Sequence, residues 1–212
     1  MNLLILGATG KVGRLVVAEA LARGHDVTAL VRNPAKVAQT HPHLTVITGN
    51  LKDPDVMRQA LAGQDAVISA LGHKSLAKSD IQTAATRAVL AALQPGQRFV
   101  SLTGQGVSDP RDPAPTLGAR LVTAGIKLVP GGLYADGAAH ARLMRESAAD
   151  WTLVRSPVMT GGAATHHYRV GYLKIGLFTT ARRADVARFM VAAATDPAGK
   201  WSRQAPMVAS RQ

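Results

Sequence analysis

Glycine stands at positions 7, 10 and 13, directly after the apolar run Leu3, Leu4, Ile5, Leu6 and just before an apolar, helix-forming stretch. Each glycine has a separate physical use there. The first permits a tight turn out of a strand. The second removes a Cβ that would keep a diphosphate off the backbone, and the third lets the next helix pack closely. A helix opening at that point presents unpaired N–H groups and the positive end of its dipole. The chemistry open to this spacing is to cradle an anionic dinucleotide, against the alternative of a plain structural turn. The strand before it, the helix after it and a second strand closing at Val31 favour the first reading. A Walker A loop is excluded, because Lys11 is followed by Val12 and Ile5 stands where the leading glycine belongs.

A loop of this kind is usually followed, at the tip of the second strand, by an acid that binds a free ribose 2′-hydroxyl. Here the strand runs into L-V-R-N-P-A-K. Arg32 and Lys36 replace the acid, and Pro34 can open a short helical turn that brings the two to one side. Such a pair suits a 2′-phosphate; the alternative is two solvated surface charges.

Other groups with chemical potential are sparser. Asp136 and His140 are four residues apart on a predicted helix over 137–147. Asp136 reads as its N-cap or as a chemical group, and His140 as a packed histidine or as one facing a pocket. Thr103 ends a predicted strand. His41 and His43 flank Pro42, and His166 and His167 are adjacent, but no third ligand follows at metal spacing, so no metal site is expected. No G-x-S-x-G elbow is present.

The elements that must position these residues alternate. Predicted strands cover 2–6, 26–31, 44–48, 65–70, 98–102, 151–155 and 205–209, rich in Val, Ile and Leu without clean alternation, as in strands buried on both faces. Helical periodicity covers 11–23, with Gly24 as its stop, 80–93, with Asp80 as N-cap, and 183–194. Residues 104–118 read as a Gly/Pro-rich loop, and 156–180 as irregular with one short strand near 168–173. Strand–helix alternation predicts a single α/β domain over 1–212, a Rossmann-type doubly wound parallel sheet in three αβα layers, binding ligands beyond the carboxyl ends of its strands.

Bulk properties agree. A chain of 212 residues, 47% hydrophobic and 18% charged, is globular. It has no cysteine, so disulfides and thiolate-bound metals are excluded, and a reducing cytoplasm suits it. No apolar run approaches the ~18 residues that span a bilayer, and the first run lacks the basic flank of a signal peptide. The net charge is +12, but Arg182-Arg183 is the only adjacent basic pair and no aromatic residues interleave with the cations. This favours a generally basic surface over a nucleic-acid site.

The segments GATGKVG, LVRNPAK, GNLKD, QDAVISALG, SLTGQGVSD, HARLMRES, DWTLVRSP and RRADVARFM follow the order seen in atypical short-chain dehydrogenase/reductases. Over nearly its whole length the chain resembles the small NAD(P)H-binding group that includes biliverdin-IXβ/flavin reductases and NmrA-like proteins. The resemblance implies that Gly7, Thr9, Gly10, Lys11, Val12 and Gly13 hold the cofactor phosphates, and Arg32 and Lys36 the 2′-phosphate of NADP(H). It further implies that Asn50 and Leu51 flank the adenine, that Leu71 and Gly72 border a ribose, and that Thr103 and Pro157 line the nicotinamide end. The chain departs from the superfamily in lacking a YxxxK pair; its place is taken by D-G-A-A-H, from Asp136 to His140. Gly104 follows Thr103 where flavin-reducing relatives carry a serine, and Val158 stands where those relatives carry a histidine, which counts against biliverdin as substrate.

The reading that results is an NADPH-dependent reductase passing hydride to a small, flat acceptor such as a flavin, quinone or conjugated carbonyl. Thr103 would bond near the carboxamide or acceptor, and His140 would be the proton donor or orienter. The alternative is a non-catalytic NADP(H)-sensing regulator; a nucleotide-sugar epimerase is a weaker third. The expected partner is a small-molecule acceptor, with neither nucleic acid nor membrane, and the chain is expected to be a monomer or homodimer.

Overall fold

The computed structural model describes residues 1–72, 79–114, 133–165, 167–176 and 178–210, together with residues 118, 121, 124 and 125. Three strands fall where the apolar pattern puts them: β1 (Asn2–Leu6), β2 (Asp26–Val31) and β3 (Leu44–Thr48). β4 (Ala66–Ser69), β5 (Arg98–Gly104) and β6 (Asp150–Ser156) differ from it only at their ends. The stretch read as mostly irregular carries three short strands, β7 (Val158–Thr160), β8 (Tyr168–Gly171) and β9 (Thr180–Arg182), and β10 (Met207–Ser210) closes the described chain.

The main sheet has the order β3-β2-β1-β4-β5-β6-β10-β8, parallel except for β8 against β10. The chain winds outward from β1 to β3, then restarts on the other side of β1 with β4. The reversal lies between β1 and β4, where a doubly wound sheet opens a crevice beyond its carboxyl edge. β7 and β9 form a separate parallel pair.

Alternate residues of the buried strands feed two cores. Leu3, Ile5, Val100, Leu102 and Val154 pack with helix α1 (Gly13–Ala22) and with the last helix, Arg183–Thr195. Leu4, Leu6, Val67, Phe99 and Leu153 pack on the opposite face. That face carries α2 (Pro54–Leu61), α3 (Ile81–Ala92) and α4 (Leu133–Glu146); Arg183–Thr195 is α5. The three-layer arrangement follows directly from burial on both faces of the sheet. No helix among the described residues is long and apolar enough to cross a membrane.

Local signals explain most boundaries. α1 stops in a Schellman motif: Gly24 has φ +75°, its N–H donates to the Leu21 carbonyl, and the His25 N–H reaches the Ala20 carbonyl. Pro34–Lys36 forms the expected short turn, a 3-10 helix whose start is capped by the Asn33 side chain. α2 was not anticipated, although Asp53 caps it through the amides of Asp55 and Val56, with Pro54 in its first turn.

Two expected caps are corrected. Asp80 makes no side-chain cap at the start of α3, and Asp136 is not the N-cap of its own helix, which begins earlier, at Leu133. Instead the buried Asp136 carboxylate crosses from α4 to accept hydrogen bonds from the amides of Gln82 (3.0 Å) and Thr83 (2.9 Å). The first turn of α3 is thus satisfied by a residue 54 positions away.

Candidate functional site

A cleft of about 590 Å³ lies over the reversal between β1 and β4. Its floor is the glycine loop. Gly7 has φ +81°, a conformation that L side chains avoid, and a Cβ there would stand 3.0 Å from the Ala70 carbonyl group. The Gly10 N–H donates to the Gly7 carbonyl at 2.8 Å, closing the turn. A Cβ on Gly13 would come within 1.9 Å of the Gly7 oxygen, so the third glycine is what lets α1 begin directly beneath the loop. No side chain caps the start of α1, and the residues before it, Thr9 to Val12, line the cleft. The end of a helix that favours anions therefore faces the space.

Of the residues singled out from the sequence, Gly7, Thr9, Gly10, Lys11, Val12, Arg32, Leu51, Leu71 and Gly72 line this cleft. Gly13 is buried behind the loop. Lys36 sits exposed on the short turn after Arg32, outside the lining. Asn50 is also outside it; its Oδ1 accepts from the Lys52 amide at 3.1 Å and shapes the turn, while Gly49 and Leu51 on either side face the cleft. The lining residues include three cations, Lys11, Arg32 and Arg183, and no carboxylate among those described.

Beyond β5 the placement differs from expectation. Thr103 does not line the cleft: strand alternation puts Leu102 there and turns Thr103 to the opposite face. There Thr103 is 4% exposed, and its Oγ1 has no hydrogen-bond partner among the described residues. A Cβ on Gly137 of α4 would lie 3.2 Å from that oxygen, which fixes the direction in which Thr103 points. Pro157 is buried, and Met159, two residues on, lines the cleft in its place.

His140 is the largest correction. It is fully buried on α4, outside the cleft lining, with no hydrogen-bond partner on either ring nitrogen among the described residues. Burial lowers its pKa to about 4, only partly offset by the Asp136 charge. The ring is neutral at pH 7 and lies away from the cleft, so it does not stand where the expected proton donor or orienter would act. Neither Asp136 nor His140 stands at the cleft, because both belong to the inner face of α4.

A polar scaffold holds the carboxyl ends of the central strands in place. The Gln82 side-chain amide donates to the carbonyls of Leu71 and Leu102, tying the ends of β4 and β5. Arg155 of β6 is fully buried and donates to the carbonyls of Ala205 (2.7 Å) and Val107 (3.1 Å) and to both carboxylate oxygens of Asp112 (2.5 and 2.6 Å). This bidentate pair pins the loop after β5. Asp185, also fully buried, accepts from the Thr165 amide and hydroxyl and from the Ser210 hydroxyl, anchoring the segment after β7.

Sequence reasoning missed Met159 and Arg183 as lining residues. The signal for Arg183 was its place in the one adjacent basic pair; nothing local marked Met159. Among the described residues no cluster of three or more metal-ligating side chains occurs. His41 and His43 are engaged elsewhere: His43 Nδ1 lies 2.8 Å from Asp26 Oδ1, and His41 Nδ1 accepts from the His43 amide. His166 lies outside the described residues.

Comparison with known proteins gives a family match over most of the chain, sequence relatives that match part of it, and solved structures that share its fold throughout. A family model described as NAD(P)H-binding matches residues 7–197. The photosystem II assembly factor Ycf39 of Synechocystis sp. is 39% identical over 71 residues, 33% of this chain and 22% of its own. The isoflavone reductase homolog IRL of Zea mays is 38% identical over 85 residues, 36% of this chain and 28% of its own. The match thus spans about a quarter of the length of these curated relatives. Among solved structures, ChuY, described as an anaerobillin reductase from Escherichia coli O157:H7, has the same fold. The TM-score is 0.76 at 23% identity, covering 98% of this chain and 96% of that one.

Proposed function

Because the chain belongs to the NAD(P)H-binding family, we propose that it is an NADPH-dependent reductase that passes hydride to a small, flat acceptor such as a flavin, a quinone or a conjugated carbonyl. The observation that carries this is the cleft itself: a glycine cradle whose missing side chains leave room for a diphosphate, and cations without a lining carboxylate among the described residues.

When bound, NADPH supplies the hydride. The chain's own residues do the rest. The amides of Lys11 to Gly13 at the start of α1 hold the diphosphate. Arg32, with Lys36 on the turn that follows, holds the 2′-phosphate through charge-assisted hydrogen bonds and so sets the preference for NADPH over NADH. Leu71, Gly72 and Leu102 shape the space next to the reactive ring. With Thr103 and His140 turned inward, the described residues place no side-chain acid there. Acceptors that take hydride and are protonated from solvent fit such a site, and the protein's contribution is orientation.

The same observation favours a second reading, a cofactor-sensing protein without turnover. The two are separated by following NADPH oxidation at 340 nm with FMN, a benzoquinone and an enone, alongside calorimetry of NADPH binding. The reductase reading expects at least one acceptor to be reduced at a rate that saturates with NADPH. Tight NADPH binding with no acceptor reduced selects the sensor, and no binding of either NADPH or NADH removes both.

A further inference from the structure

Arg183 and Arg32 enter the cleft from opposite sides of β1: Arg32 follows β2, and Arg183 begins α5, the helix that packs beside α1 and over β4 and β5. Arg183 lines the cleft and through Nη2 donates to the Met159 carbonyl at 3.0 Å. Its neighbour Arg182 is outside the cleft lining and donates to the Ala163 carbonyl, so the two arginines of the pair have separate tasks. One bond to a neutral carbonyl uses a single edge of a guanidinium that carries five N–H donors. No carboxylate pairs with Arg183 among the described residues. Asp185, the nearest acid in sequence, spends its oxygens on Thr165 and Ser210. A half-buried cation in a cleft that no described carboxylate lines is a site for an anion.

The position says which part of a ligand it meets. Arg32 follows β2, whereas α5, which Arg183 begins, packs over β4 and β5, and the sheet order places two to three strand spacings between them. At about 4.8 Å each, that is roughly 10–14 Å. That separation places Arg183 past the glycine loop, on the side of the cleft away from a 2′-phosphate at Arg32. We infer that Arg183 recognises a second phosphate, at the nicotinamide end of the cleft. That phosphate is carried either by the nicotinamide half of the cofactor's diphosphate or by a phosphorylated acceptor such as FMN. The inference rests on the reading of the cleft as a nicotinamide-dinucleotide site and adds a charge requirement at its far end.

Substitutions separate a charge role from a purely structural one. Arg183→Gln keeps a donor for the Met159 carbonyl and removes the charge; Arg183→Lys keeps the charge. Binding is measured by calorimetry for NADPH and for 2′,5′-ADP, which lacks the nicotinamide half, and by fluorescence for FMN and riboflavin with NADP⁺ present. Arg183→Gln is expected to lose about tenfold on a phosphate-bearing ligand, and Arg183→Lys less than about threefold. A loss on NADPH but not 2′,5′-ADP assigns the phosphate to the cofactor. A loss on FMN but not riboflavin assigns it to the acceptor. If Arg183→Gln binds NADPH and FMN as the parent protein does, Arg183 only holds Met159 and the inference is overturned. A parent protein that binds no nicotinamide dinucleotide overturns the functional reading itself, a result distinguishable from the failure of Arg183 alone.

Discussion

The end of the cleft over β1 is built from consecutive residues, Gly7 to Gly13, and depends on side chains that are absent. The end beyond β5 and β6 is assembled from distant segments and depends on buried charged and polar side chains: Arg155 with Asp112, Asp185 with Thr165 and Ser210, and Asp136 with the start of α3. At the first end the backbone itself does the recognising, so geometry is set by steric exclusion within a few residues. At the second, charge pairs and hydrogen bonds between segments distant in the chain hold loops whose own sequences do not dictate a conformation. The first should fail by clash and the second by exposing unpaired charge.

The largest expected effect is at Gly13. A Cβ 1.9 Å from the Gly7 oxygen meets backbone that cannot move aside. Gly13→Ala should cost about 4 kcal/mol or more, seen as a fall in thermal midpoint, and should abolish NADPH binding. A variant that melts within a degree or two of the parent would show the loop to be pliable and would erase the contrast between the two ends.

Next comes Asp112→Ala, which strands the fully buried Arg155 charge. A loss of roughly 3–5 kcal/mol in urea unfolding is expected, while 2′,5′-ADP binding at the Arg32 end is retained in the folded protein. Loss of both together would mean that the ends are not independent.

His140 tests the buried face in a different way. Its folded pKa of about 4 lies below the unfolded value near 6.5. Above pH 6.5 the ring is neutral in both states and contributes nothing. As pH falls from 6.5 to 4 the unfolded chain takes up a proton that the folded one refuses. Stability falls along that window, by about 3 kcal/mol in all. His140→Leu should flatten this limb when unfolding is compared at pH 7 and pH 4, and identical slopes in parent and variant would place the ring in contact with solvent.

The smallest effect is at Arg32, where one charge-assisted contact is worth roughly 1.5–3 kcal/mol. Arg32→Ala should weaken NADPH about ten- to a hundredfold and leave NADH unchanged by calorimetry. Equal affinity for the two cofactors in the parent protein would make the cation a surface charge.

The contrast also explains what could be read from residues alone. β1 to β3 match to the residue, and the glycine loop was legible, because apolar runs and missing side chains act locally. Thr103 and His140 were misplaced because nothing near them reveals a strand's parity or a helix's rotation. Leu102 or Thr103 could each have faced the cleft, and the choice is made by packing against α4. Asp136 had the composition of a cap and is one, but for a helix more than fifty residues away, a relation that no window of sequence contains.

The reach of Asp136 across that interval bears on how the molecule opens. The amides of Gln82 and Thr83 are shielded by a group on another helix, so they exchange hydrogen with solvent only when α4 lifts away from α3. The two helices then protect each other as one cooperative unit. Gln82 also ties the ends of β4 and β5, so each such opening loosens the strand tips that border the cleft. A ligand bound across those tips would close the unit from the far side, and its grip would be recorded as slowed exchange at two amides on the opposite face of the sheet.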